Sequence, residues 1–201
     1  MSTNGKRKTV CVFCGAQNRV PQVHLDMGKE VGKKLAENSI SLVYGGGDCG
    51  IMGAVANSVM KHGGWVTGIF PESLRNIENE HQGLNKIIIV DTMHTRKELM
   101  YMKSDMFIIL PGGFGTMDEM FEILTWKQLE LHDKPIIIFN HEHYWDHLIA
   151  LMNNIIDKGF ARIETKDLYT VVNTIDELVA CIVKSPRHHA DGEDSALLSA
   201  V

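Results

Sequence analysis

Pro111-Gly112-Gly113-Phe114-Gly115-Thr116-Met117-Asp118-Glu119 joins a glycine loop to a helix start that carries carboxylates, so anion binding and acid–base chemistry fall in one short stretch. The residues before it, Met106 to Leu110, read as a buried parallel strand. Met117, Met120, Phe121 and Leu124 after it recur at helical spacing. A loop at a strand's carboxyl end is where open α/β sheets bind ligands, and glycines let backbone N–H groups approach a phosphate at the next helix's positive end. A second cluster, Gly45-Gly46-Gly47-Asp48-Cys49-Gly50-Ile51-Met52-Gly53, follows the apolar run Ser41 to Tyr44 and precedes a helical pattern. Two such junctions suggest a nucleotide-sized ligand. Neither has the spacing of a dinucleotide fingerprint, and neither carries the Gly-Lys-Ser/Thr of a P-loop, which disfavours NAD binding and ATP hydrolysis.

Other residue types invite chemistry and have plainer readings beside it. Thr116 and Glu119 have the spacing of a capping box, in which both side chains satisfy free donors at a helix start. Two adjacent carboxylates beside an anion loop are costly unless they have work to do, so both readings stay open. Arg96 and Lys97 open a predicted helix, where the dipole disfavours cations; either an anion compensates them or they are solvated surface charges. His141, His143 and His147 raise a metal site, but they straddle a loop and a helix start, and the metal-free reading is preferred. Cys11 and Cys14 lie on one strand with side chains on opposite faces, which favours buried thiols over a metal clip. The stripe Met100, Met102, Met106, Met117, Met120 reads as core or interface filling. Trp126 and Leu129 can extend the same helix into a dimer contact.

The elements that must position these residues alternate along the chain. Strands are predicted over 9–13, 41–44, 65–70, 86–90, 106–110, 135–139 and 169–172, and helices over 23–37, 51–61, 95–103, 116–131, 145–158 and 175–184. This alternation predicts right-handed βαβ units and a Rossmann-like α/β fold: a mainly parallel sheet with helices on both faces, in three layers. The 201 residues, 44% hydrophobic, suit one domain over residues 9–184, with a flexible start at 1–8 and a disordered tail at 185–201. The polar, aperiodic stretch from Pro71 to Gly83 is expected to be a ligand-covering loop. A formal net charge of -5 disfavours nucleic acid as a partner. With no apolar run of eighteen residues and no signal-peptide core, no membrane association is expected and the protein is placed in the cytoplasm.

Taken in order, Val12-Phe13-Cys14-Gly15, Gly45 to Gly53, Met93 to Lys97, Pro111 to Glu119 and Leu124-Thr125-Trp126 resemble the LONELY GUY (LOG) family of cytokinin-activating phosphoribohydrolases. The resemblance spans about residues 9–184. It implies hydrolysis of the N-glycosidic bond of an adenine-type nucleoside 5'-monophosphate, whether a cytokinin riboside monophosphate or AMP, to free base and ribose 5-phosphate. It also implies a Rossmann-type homodimer with no metal or organic cofactor. Arg96 and Glu119 occupy the catalytic positions of the motif; Gly45, Gly46, Gly47, Gly112, Gly113, Gly115 and Thr116 occupy phosphoribosyl-binding ones. Met93, Lys97, Glu78 and Thr125 resemble further substrate contacts. Ala16 and Phe114 stand where the family commonly has serine and tyrosine, and each lacks a hydroxyl.

An ionised Glu119 would stabilise an oxocarbenium-like transition state or activate water, with Arg96 orienting it or the phosphate. Relatives labelled lysine decarboxylases would need pyridoxal phosphate on a Schiff-base lysine, and no lysine is singled out for it. The rival reading is a non-catalytic nucleotide or cofactor carrier, since the scaffold and glycine loops alone specify binding and not turnover.

Overall fold

The computed structural model describes residues 7–75 and 79–187. Glu78 and most of the two terminal segments lie outside the described residues. Seven strands, β1 (Thr9–Phe13), β2 (Ser41–Tyr44), β3 (Val66–Pro71), β4 (Lys86–Val90), β5 (Met106–Ile109), β6 (Ile136–Phe139) and β7 (Thr170–Val172), form one sheet in the order β4-β3-β2-β1-β5-β6-β7. Every pairing is parallel. The helices are α1 (Gln22–Glu37), α2 (Gly50–Lys61), α3 (Met93–Met102), α4 (Phe114–Gln128), α5 (Asp146–Asp157) and α6 (Ile175–Lys184). Each strand lies within one residue of its predicted position.

The sheet reads as continuous apolar runs because both faces are covered. Val10, Val12, Leu42 and Ile108 face α1, α2 and α6, whereas Cys11, Phe13, Val43, Ile69 and Phe107 face α3, α4 and α5. Three layers result. Cys11 and Cys14 fall in opposite layers, as alternation requires, and burial above all, with Glu119 nearby, pushes both thiols up and leaves them inert.

Strand order reverses direction at β1, so the loops after β1 and β5 diverge and open a crevice at their carboxyl ends. On the neighbouring side, the β2–α2 glycine loop is tied to the connection after β3. His81 N–H donates to Gly46 O (3.0 Å), Asp48 N–H donates to Asn79 O (3.0 Å), and Gly47 bridges Glu80. The His81 ring is buried and its Nε2 lies 3.1 Å from Asn57 Oδ1 on α2. The stretch expected to cover a ligand thus rests, in its described part, on the glycine loop itself.

Candidate active site

Two helices deliver the charged groups. α3 starts at the N-cap Thr92, whose hydroxyl accepts from Thr95 N–H at 3.0 Å, and its first turns run over the carboxyl ends of β2 and β3. Arg96 is buried there, and its guanidinium is spread over fixed acceptors: Nε donates to Ile69 O (3.2 Å), Nη2 to Gly45 O (3.0 Å) and Nη1 to Met93 Sδ (3.4 Å). Any side chain at position 45 would collide with that guanidinium. Gly45 therefore serves Arg96 directly, a use of the glycine cluster that is invisible in its spacing.

α4 starts at Gly113 with no side-chain cap, so Thr116 and Glu119 do not form the capping box their spacing suggested. The helix begins three residues earlier than a threonine N-cap would require, and Thr116 turns inward. It is buried against Gly112, where an added Cβ would strike its hydroxyl. The uncapped first turn leaves the orphan amides characteristic of a helix start beside the glycine loop, an arrangement suited to an anion. The loop is held from three sides: Pro111 O accepts from Gly15 N–H (3.0 Å), Gly112 O accepts from the Tyr144 hydroxyl (2.6 Å), and Gly113 O accepts from Met117 N–H (3.1 Å).

One turn deeper, Glu119 is 7% exposed. Burial raises its pKa from 4.5 to about 7; Arg96 and Lys97 pull it down while Asp118 and Glu122 push it up. Such a carboxyl is divided between its acid and base forms at neutral pH. Lys97 is committed to two carboxylates, Asp118 Oδ2 at 3.2 Å and Glu122 Oε1 at 2.9 Å. Burial opposes its charge, but the two carboxylates outweigh that and hold the ammonium above its ordinary value. The compensation expected for Arg96 and Lys97 thus comes from carbonyls for one and from α4 carboxylates for the other.

The structure brings together Arg96, Lys97, Glu119, Met93 and the two glycine loops. Thr125 is not among them: it is exposed, six residues beyond Glu119 and about 9 Å farther along the helix axis by the rise per residue. Ala16 lines a hollow of about 460 Å3 between the β1–α1 loop and the β2–α2 loop, with Asn18, Asp48 and Asn79. His141 and His143 have different neighbours: His141 packs against His24 and Phe139, while His143 Nδ1 lies 3.3 Å from Asp146 Oδ2. Two participants were missed from the sequence. Glu122 lies three residues after Glu119, so the helical period would have revealed it; Tyr144 is 32 residues from Gly112 and gave no local signal.

A doubly wound parallel sheet with an anion-ready loop and a buried, neutral-range carboxylate at its switch point defines a Rossmann-type protein equipped for acid–base work on a small anionic ligand. Comparison narrows the class. A family model described as "possible lysine decarboxylase" matches residues 52–182. A cytokinin riboside 5'-monophosphate phosphoribohydrolase of Rhodococcoides fascians is 39% identical over 89% of this chain and 90% of its own. A probable enzyme of the same name from Oryza sativa subsp. japonica is 37% identical over 93% of this chain and 84% of its own. The chain belongs to the LOG family that these relatives represent. Among solved structures, the molybdenum cofactor carrier protein of Chlamydomonas reinhardtii superposes with a TM-score of 0.68 at 18% identity, covering 89% of this chain and 98% of that one. At that identity the likeness is one of fold.

Proposed function

We propose that this protein is a nucleoside 5'-monophosphate phosphoribohydrolase: it hydrolyses the N-glycosidic bond of an adenine-type nucleotide to free base and ribose 5-phosphate. The observation that carries the reading is Glu119, buried beside Arg96 and held near neutrality under the anion loop. The names of the relatives supply the reaction class.

In the proposed chemistry the 5'-phosphate sits on the first-turn amides of α4, and Gly112, Gly113, Gly115 and Thr116 let it approach. Breaking the C1'–N bond sends its electron pair to the base, which takes up a proton from solvent that is made good when Glu119 later releases the one it takes from water, while positive charge develops on the ribose. Ionised Glu119 stabilises that charge and accepts a proton from the water that attacks C1'. Arg96, locked on the carbonyls of Gly45 and Ile69, keeps enough of Glu119 ionised near pH 7 to do so. Lys97 orients the carboxylate-bearing turn of α4. Decarboxylation of lysine is the weaker reading, because a Schiff-base lysine needs a depressed pKa, and Lys97, the lysine beside Glu119, has a raised one.

We also infer that two copies associate through α4 and that AMP and its isoprenoid-substituted counterparts are the substrates to compare. The test is chromatographic. Wild-type protein incubated with AMP, or with isopentenyladenosine monophosphate, is expected to release base and ribose 5-phosphate; Glu119→Gln should lower turnover at least a hundredfold. Retention of unchanged nucleotide by the wild type would favour the carrier, and near-normal turnover by the variant would remove Glu119 from the chemistry.

A further inference from the structure

At the amino-terminal edge of the sheet, the end opposite the crevice, lies a hollow of about 500 Å3 that this activity does not use. Three cations line it: Arg7 just before β1, Lys86 at the start of β4 and Lys103 at the end of α3. Among the described residues none of the three is ion-paired with a carboxylate. Asp105 is near, but its carboxylate accepts from Thr9 N–H at 2.7 Å and acts on Lys8. All three are exposed to solvent, and a cluster of one sign without counterions attracts an anion.

The floor carries hydroxyls among apolar side chains, with Val43 and Ile88 lining it as well. Cys11, Val43 and Ile69 belong to the apolar layer under α3 and α4, and residues two positions earlier on each strand share their face. Those positions hold Thr9, Ser41 and Thr67, all lining the hollow. Ser41 and Thr67 are each 8% exposed, so two hydroxyls are nearly buried on a sheet face otherwise built of apolar side chains. Register sets the groups side by side, with Thr9 opposite Ser41 and Thr67 opposite Lys86. At the rim stands Trp65, directly before β3 and 45% exposed, a broad aromatic surface beside the cations.

We propose that this hollow is a second ligand site, for a nucleoside polyphosphate. The phosphates lie among Arg7, Lys86 and Lys103 and accept from the strand hydroxyls, and the base stacks on Trp65. Three cations match the charge of a di- or triphosphate better than that of a monophosphate, and the volume suits a nucleotide. Strands of this length separate the hollow from the crevice by roughly 15 Å, so the ligand does not touch Glu119.

Calorimetric titration of the full chain with ADP, the crevice kept occupied by excess ribose 5-phosphate, tests this without reference to turnover. Binding is expected to weaken at least tenfold in Lys86→Gln/Lys103→Gln, with release of base from AMP unchanged if that reaction is the protein's own. Trp65→Ala should weaken ADP several-fold and leave inorganic tripolyphosphate unaffected. No binding of ADP, or ADP binding undiminished in the double variant, overturns the site. ADP binding that ignores Trp65→Ala overturns the nucleoside and leaves a polyphosphate site. A double variant that changes sedimentation but not ADP binding would assign the face to a second copy of the chain instead.

Discussion

Glu119 shows how one residue's surroundings set its chemistry. A carboxyl removed from water prefers its proton, and the nearby Arg96 limits the rise, so the group settles at about 7 and not farther up. The same shift has a consequence for folding. Between pH 4.5 and about 7 the folded state holds a proton that the unfolded state has lost, so stability falls as pH rises through this window, and the full penalty applies above it. Glutamine has no proton to lose. Glu119→Gln should therefore be more stable than wild type at pH 8, by about 3 kcal/mol as an upper figure, and the two should converge below pH 4.5. Thermal melts at both pH values check this; a gap that does not close in acid would place its origin outside Glu119 ionisation. Turnover should follow the opposite trend, with kcat/KM rising through an apparent pKa near 7 as Glu119 ionises. Replacing Arg96 with glutamine should push that limb to higher pH, because the charge restraining the shift is gone.

At the scale of the element, the unit is β5, its loop and α4. Its existence was legible, since Met106 to Leu110 is a continuous apolar run and the helix after it has clear periodicity. Its start was not. Gly113 opens α4 without a cap, and this turns Thr116 inward against Gly112 instead of outward as an N-cap. Local spacing cannot separate those outcomes, because packing against Gly112 decides between them. Arg96 was legible as a residue, but its anchoring was not: its acceptors are main-chain carbonyls, Ile69 on β3 and Gly45 in the loop after β2, which leave no residue-type signature. Tyr144 is the same case with a testable effect. Its hydroxyl holds Gly112 O, and in a trans peptide the Gly113 N–H points the opposite way, so Tyr144 sets the direction of a loop donor. Tyr144→Phe keeps the ring against His24 and Trp145 but drops that bond. Loss of about 1 kcal/mol should raise the dissociation constant for ribose 5-phosphate roughly fivefold. Equal affinity in the variant would show that the loop holds its shape without Tyr144.

For the whole molecule, α4 poses a question that a single copy leaves open. One face, Thr116, Met120, Ile123 and Leu124, is buried in the chain's own core. The outer side repeats Phe114, Met117, Phe121, Thr125 and Leu129 at helical spacing; Met117 and Phe121 are half-buried at the core's edge, while Phe114 is 87% and Leu129 60% exposed. The association of two copies through α4 proposed above would cover this stripe. The proposed dimer would give Thr125 a place. It stands too far along α4 to join its own Glu119, but it lies within the stripe that would face a second copy, and an isologous contact there would bring each copy's α4 toward the other's crevice. Leu129→Asp tests the argument, because Leu129 is exposed at the end of α4 and its loss leaves the core intact. Wild type should sediment at about twice the 22.5 kDa of one chain, and the variant at once that mass with its melting temperature little changed. Turnover should fall at least tenfold in the variant if Thr125 or its neighbours complete the partner's site. A monomeric wild type with full turnover would mean that the outer face of α4 serves another purpose and that each crevice is complete within one chain.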